Sequence, residues 1–300
     1  MAAATPALRQ RLRPTARGGA VLLIASAGVL AAWVLGLKPS ALVPNGGGME
    51  VARKFFAAAF SPALTYESAD VPEGTMPLPA KAALAAWTTL KFAAAGTGVS
   101  VILGVVLGFL ASSAWWEGES AGRRSGWHRV AGPVVFGGAR IAIAVLRSVH
   151  ELIWAVLFLA AAGLSPLAAV LALALPFAGT LAKIFSEMVD EAPRSASGAL
   201  RSVGARPLQV YAFALLPQAL PDILAYALYR FECALRSSAI MGFLGIETFG
   251  YFLKLSFENL HYREVWTYLY ALAALVITFD IWSGAIRRRL VGHALSRRYK

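Results

Sequence analysis

Long apolar runs constrain the fold of this chain more than any other feature. Six of them cover residues 18–37, 82–115, 141–163, 166–188, 211–239 and 265–286. A helix of about 20 apolar residues is long enough to cross a bilayer, and it satisfies its own backbone hydrogen bonds there. Hydrophobic residues make up 58% of the chain and charged residues 15%, with a mean hydropathy of +0.62. We therefore predict an all-α integral membrane protein with about six transmembrane helices.

Positive charges cluster beside the ends of these runs. The net charge is +12, and arginines concentrate in residues 9–17, 123–129 and 287–298. Such flanks mark the cytoplasmic side of a membrane protein, whereas residues 38–81 mix both signs of charge and are typical of an outer face. The pattern predicts a multi-pass protein of the inner (cytoplasmic) membrane with both termini in the cytoplasm. The same placement of charge indicates that the net positive charge serves topology in the lipid membrane and not nucleic-acid binding. The first run is uncharged and no small-x-small cleavage site follows it, which favours an uncleaved anchor.

Few residues are of the types that catalysis or metal binding needs. Cys233 is the single cysteine, and His128, His150, His261 and His293 are scattered without ligand spacing. We therefore expect no metal site and no internal disulfide. The sequence contains no His-Glu-x-x-His, no Gly-x-Ser-x-Gly and no phosphate-binding Gly-x-x-x-x-Gly-Lys-Ser/Thr loop. An intramembrane enzyme is disfavoured, and an ATPase would have to be a separate chain.

A short basic segment separates the fourth and fifth apolar runs. Its arginines are Arg194, Arg201 and Arg206. These charges predict that the segment lies outside the hydrocarbon, as an amphipathic helix with Ala199, Leu200 and Val203 in an apolar stripe. Gly204 is expected to end or bend that helix. A protruding helix of this kind can dock into a groove on a soluble partner, although a basic loop that only sets topology is the alternative.

The same segment resembles the cytoplasmic coupling segment of ABC-importer permeases. That family has Glu-Ala-Ala, a Gly after three more residues, and an apolar-x-Leu-Pro after a further nine. Gly198 departs from the pattern, because the family usually has Glu there. The resemblance assigns contact with the ATPase to the following residues. They are Ala199, Leu200, Arg201, Gly204, Ala205, Leu216 and Pro217.

Two further stretches, residues 147–154 and 229–236, resemble signatures of the phosphonate-uptake permeases, a branch that also handles phosphite-like anions. The first reads Arg-Ser-Val-His-Glu-Leu-Ile-Trp, with His150 where the family usually has proline. The likeness covers roughly residues 82–290. Glu247 and Thr248 stand where the family tends to have small residues, so the exact substrate stays open.

Both signatures place ionised groups inside apolar runs, where a charge should face the protein interior and have a partner. Arg147 and Glu151 are four residues apart and are predicted to pair on one helical face, and Glu232 and Arg236 have the same spacing. These pairs could be structural or could line the transport path. Arg230 has no partner at helical spacing, which favours the path. The candidate path residues are Arg230, Arg147, Glu151, Glu232 and Arg236.

The resemblance implies a type I ABC-importer permease. Residues 1–81 would form a cytoplasmic tail, the first helix and a periplasmic loop. Residues 82–290 would form the transport core, with the coupling segment at 190–217, and residues 291–300 a basic tail. It also implies two permease copies, most simply a homodimer, with a cytoplasmic ATPase dimer and a periplasmic solute-binding protein. The chain would need no cofactor, because ATP and Mg act on the ATPase.

The implied function is import of a phosphonate or phosphite-like oxyanion. A permease for methionine or polar amino acids is the alternative, since those share the Gly-to-Leu-Pro spacing without needing the arginine signatures. A secondary transporter would commonly show inverted repeats, and none is evident. A purely structural membrane subunit would leave the coupling segment without a purpose.

Overall fold

The computed structural model describes residues 16–38, 46–68, 71–117 and 126–298, and within these ranges every regular element is helical. The helices, in chain order, are α1 (Ala16–Val34), α2 (Gly46–Ala58), α3 (Leu78–Ala111), α4 (Ser113–Glu117), α5 (Gly126–Ser148), α6 (Glu151–Ala162), α7 (Pro166–Asp190), α8 (Arg194–Ser202), α9 (Pro207–Val210), α10 (Leu216–Ile240), α11 (Phe249–Glu258) and α12 (Tyr262–Arg298). A π-helical turn, Tyr211–Leu215, joins α9 to α10, and a 3₁₀ turn, Met241–Leu244, follows α10. The predicted all-α class is confirmed.

Among the described residues, four helical stretches are long and apolar enough to cross a membrane: Leu78–Ala111, Pro166–Asp190, Pro207–Leu244 and Tyr262–Leu290. They correspond to the second, fourth, fifth and sixth predicted runs. The first run contains a shorter apolar helix, Gly18–Val34. The predicted third span is wrong as one straight helix, because α5 and α6 are bent by 91° at a short break. If α5 and α6 are counted together as one broken span, the described residues contain five candidate membrane spans.

The chain divides into two compact units, Met1–Ala57 and Ala58–Lys300. Within the first, α1 is uncharged from Gly18 to Val34, as a lipid-facing helix should be. On α2, Lys54 pairs with Glu50 at 2.7 Å.

The second unit is organised around α7, which packs against α3, α5, α6 and α10. Small residues on α3 allow it to approach α7 closely. A Cβ added at Gly104 of α3 would lie 2.8 Å from Leu181 Cβ, and one at Gly108 would lie 3.1 Å from Ala182 O. Gly104 and Gly108 therefore allow a close approach of α3 to α7.

Residues 163–165 form a tight turn between α6 and α7. Gly163 adopts a positive φ of 69°, which glycine tolerates without steric cost. The Ser165 hydroxyl then accepts a hydrogen bond from the Ala168 amide at 3.2 Å and caps α7. Pro166 follows at the first helical position, where its missing N–H leaves no bond unmade.

Candidate functional site

The coupling segment of residues 190–217 contains a helix with a well-defined C-terminal cap. The Ala205 amide donates to Leu200 O and the Gly204 amide donates to Arg201 O, both at 3.0 Å. These two bonds form a Schellman motif, which requires a left-handed residue, and Gly204 has a φ of +83°. The prediction that Gly204 ends the helix is confirmed.

One face of the coupling segment is apolar and exposed. Val203 has 79% of its surface exposed and Leu208 has 53%, while Ala199 is exposed and Leu200 is half-buried. Arg201 and Arg206 are exposed beside them. The predicted stripe is therefore not packed into the rest of the described chain, and its apolar surface with a basic surround is available to a partner.

Leu216 and Pro217 open the helix that leads away from the coupling segment. The Leu216 amide donates to Tyr211 O across the π-helical turn, and Pro217 follows in the first turn of α10, where a proline is tolerated. Leu216 packs against the buried cluster that contains Tyr211 and Leu215, whereas Pro217 is exposed. A displacement of the coupling segment would therefore act directly on the core at the start of α10.

Asp190, which the sequence reasoning missed, ties the base of the coupling segment to the end of α3. Its Oδ1 accepts from Ser112 Oγ at 2.6 Å and from the Ala114 amide at 3.1 Å, and its Oδ2 accepts from the Ser113 amide at 3.0 Å. The Asp190 carboxylate, at the end of α7, thus caps the N-terminus of α4. Arg194 Nη2 also donates to Asp190 O at 3.0 Å, which holds the first turn of α8 to the end of α7.

The predicted pairing of Arg147 with Glu151 is wrong. The helix breaks between them, at Ser148 to His150, and α6 starts afresh at Glu151. His150 is the N-cap of α6, and its Nδ1 accepts from the Leu152 amide at 3.3 Å. The sequence signal for this break was His150 itself, which stands where the resembled family has a helix-breaking proline.

Glu151 instead joins α6 to α10. Its Oε1 accepts from Ser237 Oγ at 2.8 Å, and its Oε2 lies 3.6 Å from His150 Nε2. The carboxylate also lies in the first turn of α6, where the helix dipole favours negative charge. Arg147 has no hydrogen-bond or ion-pair partner among the described residues.

The predicted pair of Glu232 with Arg236 is also wrong. Glu232 is buried, and its Oε1 accepts from Ser283 Oγ and lies 3.1 Å from Arg287 Nη2 on α12. Arg236 points elsewhere on α10 and is exposed, with its Nη2 3.7 Å from Cys233 Sγ. Helical spacing allowed the local pair, but a carboxylate buried between two helices is better compensated by the neighbouring helix.

Arg230 has no acidic partner in the described ranges, as its spacing predicted. Its guanidinium carbon lies 4.1 Å from the centre of the Phe177 ring on α7, a cation–π geometry. Its Nε is buried and makes no hydrogen bond. Arg230 therefore makes no hydrogen bond to the described residues, and its donors are available to a ligand.

The departure from the resembled family at Thr248 has a structural explanation. Thr248 is fully buried, and its hydroxyl donates to Ala239 O at 3.1 Å. This bond ties the start of α11 to the end of α10. Glu247 next to it is exposed.

Comparison with known proteins identifies the family. Residues 120–292 match the family described as the binding-protein-dependent transport system inner membrane component. The chain belongs to this family. It is a multi-pass permease subunit of an ABC importer, a class that works with a separate ATPase and a solute-binding protein.

Two relatives of the permease are similar over about two thirds of its length. It is 36% identical over 200 residues to the phosphite transport system permease protein PtxC of Stutzerimonas stutzeri, covering 67% of this chain and 68% of that protein. It is 33% identical over 207 residues to the phosphate-import permease protein PhnE of Mycolicibacterium smegmatis, covering 69% of this chain but 36% of that longer protein.

A solved structure shares the fold of the permease. The inward-facing MetNI methionine ABC transporter matches with a TM-score of 0.57 and 20% identity, covering 69% of this chain and 95% of that one. At this identity the match supports the type I importer fold and says nothing of substrate.

Proposed function

We propose that this permease moves a phosphonate, phosphite or similar phosphorus oxyanion from the periplasm to the cytoplasm, driven by a separate ATPase. The observation that carries the proposal is the 36% identity over 200 residues to a phosphite transport permease. The chemistry agrees with it, because an arginine fork can hold two oxygens of such an anion and stays charged at any relevant pH.

An amino-acid substrate has less support. The methionine transporter matches at 20% identity, a level that supports a common fold alone. An amino-acid permease would not need arginines at both resembled signatures, whereas an anion permease has a use for them.

The proposed assembly is a homodimer of permeases with two ATPases and one solute-binding protein. Each ATPase would dock on α8 and contact Leu200, Val203 and the arginines beside them. ATP and Mg would act in the ATPase, and this chain would need no cofactor. Closure of the ATPase dimer would push α8, and the rigid turn at Gly204 would pass that displacement to α10.

Arg230 is the proposed anion-attracting group of the transport path, since no carboxylate of the described residues pairs with it. Arg147 and Arg236 are exposed and remain candidates for the path. Glu232 and Glu151 are better suited to holding helices together, because each is already engaged by a neighbouring helix.

Uptake by the reconstituted importer tests the substrate. The permease, its ATPase and its binding protein are placed in proteoliposomes, and uptake of phosphite, methylphosphonate, phosphate and methionine is compared at equal concentration. We expect ATP-dependent uptake of at least one phosphorus oxyanion and none of methionine. Methionine uptake without anion uptake would refute the proposed function.

Variants at Arg230 test its role in the path. Arg230→Gln removes the charge, and we expect uptake to fall by about tenfold or more while the complex still assembles. Phe177→Leu is the matched control, because it removes the ring under the guanidinium but keeps both the charge and an apolar core side chain. If Arg230→Gln transports normally, Arg230 is not part of the path.

A further inference from the structure

A second group of cations lies in an open cleft between the end of α3, α5 and α7. The cleft has a volume of about 530 Å³. Its charged side chains are Arg140, Arg147 and Lys183. Ser148 and Ser186 also line it, and their hydroxyls donate to backbone carbonyls of their own helices. It lies toward the end of α7 that leads into the coupling segment.

The cleft is built by the close packing of α5 on α7. A Cβ added at Gly179 would lie 2.8 Å from Leu146 Cβ and 2.9 Å from the Arg147 backbone nitrogen. Only a glycine allows this approach, which fixes the register of the two helices. Arg140 and Arg147 are seven residues apart and therefore share one face of α5. Lys183 lies across the cleft on α7, about one helical turn after Gly179.

The positive charge of the cleft is only partly compensated. Lys183 pairs with Glu187 on its own helix. Arg140 donates to Ala111 O at 3.4 Å and lies 4.6 Å from the Phe136 ring centre, and neither contact neutralises it. Arg147 has no polar partner in the described ranges. Two of the three cations therefore have no anionic partner among the residues that the structure describes.

These uncompensated charges lie in segments that cross the membrane. Gly132–Ser148 is half of the broken span, and Lys183 is in the span Pro166–Asp190. Arg140 and Arg147 are exposed on the isolated chain. A charge facing lipid costs up to about 3 kcal/mol on insertion scales, the value at the bilayer centre, which favours contact of this face with water, a ligand or polar protein.

We propose that this cleft is an anion-binding site on the coupling-segment side of the transport path, where the transported phosphorus oxyanion is held before release. The inference rests on the proposed function for the identity of the anion. The guanidinium groups of Arg140 and Arg147 suit the oxygens of a tetrahedral oxyanion. Glu187, which pairs with Lys183, offsets part of the positive charge, so that the anion can leave. The phosphate of an anionic lipid has the same chemistry, so the test must separate the two sources.

Cysteine reactivity at position 144 reports on the cleft without requiring transport. Ala144 is exposed between Arg140 and Arg147. The permease carrying Cys233→Ser and Ala144→Cys is placed in phosphatidylcholine nanodiscs and labelled with anionic and cationic methanethiosulfonate reagents. We expect the ratio of anionic to cationic rates to exceed that at Leu164→Cys, in the α6–α7 turn, by about tenfold. Adding Arg147→Gln should lower the ratio, and adding Lys254→Gln, an exposed cation on α11, should not.

Protection by ligand identifies the occupant. If the site has a Kd near 5 mM, about 10 mM phosphite should slow labelling of the Ala144→Cys thiol about threefold, with chloride at equal ionic strength as the control. Arg147→Gln should abolish this protection. Absence of protection, or an unreactive thiol in the Ala144→Cys variant, overturns the proposal. Protection that requires phosphatidylglycerol in the nanodisc and does not respond to phosphite would assign the cleft to lipid and also overturn it.

The outcome is separable from that of the uptake assay. If the importer carries phosphite but the Ala144→Cys thiol is not protected, the cleft proposal fails and the proposed function stands. If that thiol is protected but no phosphorus oxyanion is transported, the function fails and the anion site stands.

Discussion

Gly204 offers the sharpest test of how the coupling segment works. Its φ of +83° lies in the left-handed region, and a Cβ added there would meet nothing within 4 Å. The cost of a substitution therefore comes from the backbone alone and not from crowding. For alanine that cost is about 1 kcal/mol, and for the β-branched valine it is about 2–3 kcal/mol.

The helix end could avoid this strain only by giving up its cap. The two Schellman hydrogen bonds, from Gly204 and Ala205, would then be lost, at a cost of about 1 kcal/mol each. In either case Gly204→Val disfavours the native turn by about 2 kcal/mol, which lowers the equilibrium constant for forming the turn about thirtyfold. The chain would leave α8 in another direction, and the displacement of α8 would no longer reach Leu216.

Gly198 provides a matched control on the same helix. It lies inside α8, and a Cβ there would also meet nothing within 4 Å. Gly198→Ala should stabilise the helix by about 1 kcal/mol, because glycine is a poor helix former. The same kind of change thus has opposite expected signs at two positions six residues apart.

The assay is ATP hydrolysis by the reconstituted importer, stimulated by loaded binding protein, with assembly measured by size-exclusion chromatography. We expect Gly204→Val to assemble but to lose about tenfold or more of the stimulation, Gly204→Ala to be intermediate, and Gly198→Ala to be unaffected. Full stimulation in Gly204→Val would show that the cap does not transmit the movement of α8.

Three other outcomes are expected. In a Cys233→Ser background, Arg201→Cys should be labelled from the cytoplasm only, and labelling from the periplasm would refute the predicted topology. Glu232→Gln and Arg287→Gln should each destabilise the detergent-solubilised permease by roughly 2 kcal/mol, and the double variant should recover much of that loss in thermal unfolding; no recovery would mean the two do not act as a pair. Asp190→Asn should weaken the α4 cap by about 1–2 kcal/mol and speed hydrogen exchange of the capped amides, and unchanged exchange would contradict its bracing role.

The sequence determined the features that depend on neighbouring residues. Apolar runs of sufficient length predicted the spans on α3, α7, α10 and α12, because the bilayer requires each helix to satisfy its own backbone. The glycine after a basic amphipathic stretch predicted the end of α8, because Gly204 is the residue that adopts a left-handed turn without cost.

Only the tertiary structure decided which charged groups meet. Helical spacing paired Glu151 and Glu232 with arginines four residues away, yet their hydroxyl partners are 86 and 51 residues distant in sequence. Asp190 likewise binds Ser112, 78 residues before it. A carboxylate between packed helices takes whichever donors the neighbouring helix presents, and that depends on register and crossing, which close contacts such as the one at Gly179 set. The basic cleft depends on that packing of α5 against α7, so no local pattern could place Arg140 and Lys183 together.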